Sequence, residues 1–149
     1  MMQIRLANDE EIFSIAGFQL KMAKETENIE LDRTTVENGV RSVFQDKHKG
    51  TYVVALEQDT VIGSLLITYE WSDWRNSVVL WIQSVYVIPE YRSQGVFRLL
   101  YNYVKKIANE DKNVSGIRLY VDKTNKNAMK VYKTIGMNGE HYHVFEWMK

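Results

Sequence analysis

Residues 81–97 read Trp-Ile-Gln-Ser-Val-Tyr-Val-Ile-Pro-Glu-Tyr-Arg-Ser-Gln-Gly-Val-Phe. They close an almost continuously apolar run, residues 77–88, rich in β-branched and aromatic side chains. Such a run predicts a strand buried on both faces and central in a sheet. Pro89, the one proline in the chain, ends it. A polar turn from Glu90 to Gly95 comes next. Val96, Leu99, Leu100, Tyr103, Val104, Ile107 and Ala108 then recur at helical spacing. A helix that starts after a glycine-bearing turn presents unpaired backbone N–H groups and the positive end of its dipole, an arrangement suited to phosphate. Gly95 has no side chain to obstruct an anion, and Arg92 adds a fixed charge with bidentate geometry. The loop is neither G-x-x-x-x-G-K-[ST] nor G-x-G-x-x-G, which excludes the two common nucleotide-binding fingerprints.

Upstream, residues 3–6 predict a short strand. Asn8 and Glu11 have the spacing of a helix-capping box, and Ile12, Ile15, Ala16, Met22 and Ala23 stripe a first helix. Thr34 and Glu37 form a second box before Val36, Val40, Val43 and Phe44. Residues 51–57 and 61–71 predict a hairpin across Gln58-Asp59-Thr60. Downstream, residues 117–121 predict a buried strand. Ala128, Val131, Tyr132 and Ile135 stripe a last helix ending at Gly136, and residues 141–148 alternate as a closing strand. The order β-α-α-β-β-β-α-β-α-β predicts an α/β protein with a mixed sheet and helices on both faces. No linker or repeat divides the chain, so one domain over residues 1–149 is expected.

Composition narrows the function classes. The chain has 149 residues, 19 basic and 19 acidic, and no cysteine. A disulfide framework, a thiolate metal site and a cysteine nucleophile are excluded. Zero net charge argues against a dedicated nucleic-acid partner. The N-terminus turns acidic too soon for a signal peptide, and no apolar run could span a bilayer. A soluble, cytoplasmic protein without a membrane partner is expected. Charge is uneven: residues 1–75 carry −5 and residues 76–149 carry +5. That polarity suits an anion on one side and a neutral or cationic partner on the other.

Thirty residues beyond the loop lies Asn125-x-x-Ala128-x-x-x-Tyr132-x-x-x-Gly136-Met137. With Arg92-x-x-Gly95-x-Phe97 in register before it, the chain resembles the GCN5-related N-acetyltransferase superfamily. The resemblance covers the element order and is strongest over residues 81–137. It departs at Phe97, where the family usually has Gly or Ala. It implies acetyl-CoA as donor, an amine acceptor on a small molecule or a protein, and a homodimer as in many family members. By the same resemblance the pyrophosphate meets the N–H groups of Ser93, Gln94, Gly95, Val96 and Phe97. The resemblance also implies that Val85 and Val87 bond the pantetheine arm through their backbone while their side chains pack the core, and that Asn125 caps its helix, bonds the cofactor, or does both. Tyr132 matches the family tyrosine that protonates the leaving thiolate.

Aminolysis of a thioester needs a neutral amine, yet a primary amine near ~10.4 is mostly protonated at pH 7. Many relatives carry a strand glutamate there; this chain has Gln83, which cannot act as a base. Glu25, Glu27, Asp73, His141 and His143 are the other candidate bases; Glu25 and Glu27 follow the first helix, which by the resemblance lines the acceptor side. Trp71 and Asp73 could hold a cationic amine, or form a packed hairpin end. His141 and His143 lack a third metal ligand, so no metal is expected, and His48 reads as a surface loop residue. A non-catalytic acyl-CoA-binding module on the same fold is the alternative reading.

Overall fold

The computed structural model describes residues 1–149 as two compact units, Met1–Arg118 and Leu119–Lys149. The first unit runs β1 (Met2–Leu6), α1 (Ile12–Glu27), α2 (Arg33–Gln45), β2 (Thr51–Glu57), β3 (Thr60–Ser72), β4 (Ser77–Val87), α3 (Val96–Glu110) and β5 (Val114–Arg118). The second contains α4 (Lys126–Thr134). The five strands form one sheet in sequence order, antiparallel from β1 to β4 and parallel between β4 and β5. The expected mixed α/β order is present through α4.

Local chemistry sets most element ends. Asn8 accepts from the backbone of Glu10 at 3.0 Å, and the Glu11 carboxylate returns to the Asn8 N–H at 2.9 Å. Glu11 is buried and paired with Arg5. The second capping box does not form as expected. Asp32 caps α2 instead, accepting from Thr35 N at 2.9 Å, because its carboxylate sits one step before the first helical residue whereas Thr34 is already inside the first turn. At the β2–β3 hairpin Gln58 and Asp59 both take positive φ, 48° and 66°, as a two-residue turn matched to strand twist requires.

Ile12, Ile15, Ala16, Val40 and Val43 of α1 and α2 cluster with Tyr52, Val54 and Leu56 on one face of the sheet. On the other face, a Cβ added to Gly63 would lie 3.5 Å from Val96 Cγ1, so α3 approaches the backbone closely there. In β4, Tyr86 pairs with Ser64 and Gln83 with Leu66, leaving Ser84 and Val85 opposite Leu65 alone. Ser84 takes φ 55° in this bulge. A bulge bends its strand and re-aims the residues beyond it. The β4–β5 ladder runs from Val78 to Trp81, where Arg118 is the partner.

Two strand expectations are corrected. β5 occupies Val114–Arg118 rather than residues 117–121. The turn that bonds Val114 N to Asp111 O, and the bond from Val78 N to Asn113 O, set its register earlier. Residues 141–148 carry no strand. Alternation alone does not make a ladder, and the Leu119–Lys149 unit offers no second strand to pair with.

Candidate active site

The start of α3 is open. Gly95 is its N-cap with φ 81°, and no side chain caps the helix. A Cβ at Gly95 would meet no atom within 4 Å. The intrahelical ladder begins with Leu99 N to Gly95 O at 3.1 Å, so the N–H groups of the first turn have no acceptor in the helix. Ser93 takes φ 62°, and Gln94 folds back so that Nε2 donates to Glu90 O at 2.7 Å. Phe97 lies along α3 beside Tyr101, with ring centres 6.2 Å apart.

The strand before this turn is equally informative. Ile88 N bonds to Ile62 O, so strand alternation turns the Val87 N–H and carbonyl toward the opposite edge. Val85 sits in the bulge beside it.

Arg92 is committed inside the protein. Its Nε donates to the Val87 carbonyl at 2.8 Å, and its Nη2 meets Glu25 Oε2 at 2.7 Å. The guanidinium lies over the Tyr86 ring at 5.3 Å. Tyr86 Oη donates to Glu25 Oε1 at 2.9 Å, and its ring stacks on Phe18 at 5.1 Å. The Arg92 hydrogen bond, with help from Tyr86, holds the Glu25 carboxyl below its usual range. The structure thus joins two residues that the sequence placed on opposite functional sides. Glu27 is exposed at the end of α1.

On the α1/α2 face of the sheet, Gln83 Nε2 donates to Thr68 Oγ1 at 2.8 Å. Beside it Glu70 accepts from Trp81 Nε1 at 2.7 Å and from Arg118 Nη1 at 2.7 and 3.0 Å. Those bonds, Trp81 first, lower the Glu70 carboxyl. Sequence reading missed Glu70, Trp81 and Arg118; strand alternation aligned across β3, β4 and β5 would find them once the register is known. Trp71 falls on the opposite face from Glu70 and Gln83, and Asp73 spends its carboxylate on Trp74 N at 2.9 Å in the hairpin turn. These two are not brought together with Gln83.

In the second unit, Asn125 Oδ1 caps α4 by accepting from Ala128 N at 3.1 Å. Gly136, at φ 94°, closes the helix: its N–H bonds Lys133 O and Met137 N–H bonds Tyr132 O, both at 3.0 Å. Burial pushes the Tyr132 phenol above its ordinary pKa. His141 meets Asn138 at 3.3 Å, and His48 pairs with Asp46 at 3.1 Å on the surface. No helix is long and apolar enough to cross a membrane.

An open helix start after a bulged, half-released strand defines an α/β domain with a place for an anion at the end of β4. The chain belongs to the acetyltransferase (GNAT) family, whose model matches residues 11–137. It is 44% identical to a possible acetyltransferase from Clostridium difficile 630, covering 100% of this chain and 98% of that one with a TM-score of 0.92. A structure described as a predicted acetyltransferase with acetyl-CoA from Clostridium acetobutylicum superposes with a TM-score of 0.73 at 20% identity, over 100% of this chain and 95% of that one, a likeness of fold alone. Thialysine N-epsilon-acetyltransferase of Bos taurus is 34% identical over 91 residues, 58% of this chain and 52% of that protein. The chain therefore spans about half the length of the curated relatives it matches.

Proposed function

We propose that this chain is an acetyl-CoA-dependent N-acetyltransferase that acetylates the primary amine of a small molecule by direct attack in a ternary complex. The observation that carries this reading is the uncapped first turn of α3, opened by Gly95 at the end of β4. The residues present fit the donor. N–H groups from Ser93 to Phe97, in the turn before α3 and at its start, suit a pyrophosphate, and the Val87 N–H, turned away from β3, suits an amide-bearing arm. Val85 completes that strand edge, and Asn125 serves as the cap of α4. The family model runs through both compact units, which supports a single acetyltransferase domain over residues 1–149.

When bound, acetyl-CoA supplies an acyl group on a good leaving thiol. Gln83 orients the amine or a water through its side-chain amide, fixed by Thr68. It takes no proton. Tyr132, by the family resemblance, is the proton donor: a phenol is protonated at neutral pH, and burial raises its pKa further. The −5 balance of residues 1–75 favours a neutral or cationic acceptor. The likeness to a thialysine acetyltransferase makes amino acids with a side-chain amine the first candidates. A cytoplasmic homodimer completes the reading; sedimentation and cell fractionation test those two points.

The test is thiol release from acetyl-CoA with lysine analogues, polyamines, aminoglycosides and peptides, beside calorimetry with CoA and pantetheine. Amine-dependent release and tighter binding of CoA than of pantetheine are expected. CoA binding with no release for any amine would establish the non-catalytic module instead. Equal affinity for CoA and pantetheine would remove the phosphate site.

A further inference from the structure

A donor-loop cation and a β4 hydroxyl converge on Glu25, at the C-terminal end of α1. Its two carboxylate oxygens are divided between them: Oε1 accepts from Tyr86 Oη at 2.9 Å, and Oε2 meets Arg92 Nη2 at 2.7 Å. Arg92 in turn donates Nε to the Val87 carbonyl at 2.8 Å and lies over the Tyr86 ring. The guanidinium therefore has three fixed neighbours, drawn from α1 and β4. A planar cation held in this way fixes the backbone that carries it. That backbone is the turn leading from Pro89 to Gly95, whose geometry sets where the first N–H groups of α3 point.

We propose that Glu25 is a positioning residue for the donor: through Arg92 it holds the turn between β4 and α3 in the shape that receives the pyrophosphate. This rests on the acetyl-CoA reading above and deepens it. It also removes Glu25 from the candidate bases and from direct contact with the acceptor.

Stability is a poor explanation for the pair. The Glu25 and Arg92 side chains are 39% and 45% exposed, and ion pairs this open contribute little to folding. What the pair can do is set direction, because a turn of this length has no other charged anchor to α1 among its bonds. The neutral variant Glu25→Gln keeps the size and one hydrogen bond but lowers the hold on the guanidinium.

The experiment measures Glu25→Gln, Arg92→Met and the double variant against wild type. Readouts are calorimetric affinity for CoA and for pantetheine, KM for acetyl-CoA and for the amine, and kcat. Glu25→Gln is expected to weaken CoA binding and raise KM for acetyl-CoA by about 10-fold, the loss of one charge-assisted contact. Pantetheine affinity, amine KM and kcat at saturating donor should stay within about 2-fold, and Tm within about 2 °C. In the Arg92→Met background the Glu25 substitution should add less than about 2-fold, since both act on one device. Tighter CoA binding in Glu25→Gln would overturn the inference, because the carboxylate would then merely compete with phosphate for Arg92. So would a fall in kcat or a rise in amine KM with donor KM unchanged, the pattern of a base or an acceptor ligand. Failure of the wild-type protein to bind CoA would instead sink the functional reading itself.

Discussion

Replacing Gly95 with alanine separates the cost of the fold from the cost of the site. Gly95 holds φ 81° at the N-cap of α3, and an added Cβ would meet no atom within 4 Å. The folding penalty is therefore conformational only, about 1–2 kcal/mol for a non-glycine residue in the left-handed region. For a chain of this size that is a fall in Tm of roughly 2–8 °C. Binding should suffer more. The methyl group would stand at the mouth of the first-turn N–H groups, and loss of one hydrogen bond to a charged phosphate is worth about 1.5–3 kcal/mol. CoA affinity should drop by about 10- to 100-fold while pantetheine affinity is unchanged. Gly95→Glu, which adds bulk and a negative charge, should remove measurable CoA binding from a folded protein. The control is Gly63→Ala, whose Cβ would press on the Tyr86 carbonyl at 3.0 Å and should cost stability without any phosphate-specific effect. Calorimetry with both ligands and a thermal melt for each variant decide the matter. Equal losses for CoA and pantetheine, or wild-type CoA affinity in Gly95→Ala, would refute the assignment of the α3 start.

Tyr132→Phe should fold normally and lower kcat by about 10-fold or more, with a steeper dependence of rate on the acidity of the leaving thiol; wild-type kcat in a chemistry-limited assay would reject Tyr132 as the acid. Gln83→Ala should lower turnover by less than the ~10²–10⁴ of a true general base, and kcat/KM should rise with pH toward the acceptor amine's own pKa. Burial pushes the Tyr52 phenol up to about 12, above the ~10 of an unfolded chain, so its share of stability is complete below about pH 10 and is lost as pH rises toward 12. That share is roughly 2–3 kcal/mol, and Tyr52→Phe should flatten the alkaline limb of a pH-dependent denaturation series by about that much.

Where the sequence is legible, the signal is local. The α3 stripe, the glycine at its start, the Asn125 cap and the Gly136 stop each involve residues within four or five positions of one another. Their chemistry therefore shows in the string. The Asp32 cap escapes such a reading because two plausible caps lie two residues apart and only geometry ranks them. The β5 register escapes it because a turn at Asp111, and not the apolar run, fixes where pairing begins. The site is legible as a loop but not as a network. Arg92 and Glu25 lie 67 positions apart, and Arg118 and Glu70 lie 48 apart. Nothing in spacing relates such partners until the sheet brings them to one face. The bulge at Ser84 is equally hidden, since serine is not a residue that announces a positive φ.

The same network decides how the missing strand glutamate is to be understood. Two carboxylates, Glu25 on α1 and Glu70 on β3, lie on the same side of the sheet as Gln83, and both are already spent. Glu25 is held by Arg92 and Tyr86, and Glu70 by Trp81 and Arg118. Each is held below its usual carboxyl range, which makes it a weaker proton acceptor than a solvated glutamate. A base must compete for a proton, and a carboxylate already satisfied by a guanidinium competes badly. Gln83, tied to Thr68, supplies no proton acceptor of its own. The charges of this face thus hold geometry, and on the acetyltransferase reading proposed above neither carboxylate is the base, which leaves the amine's proton to water. Such a design favours acceptors whose amine pKa is low enough to leave a useful neutral fraction at the working pH. Among side-chain amines of otherwise equal reach, the less basic one is therefore expected to show the higher kcat/KM at neutral pH, and equal values would reject proton transfer to water.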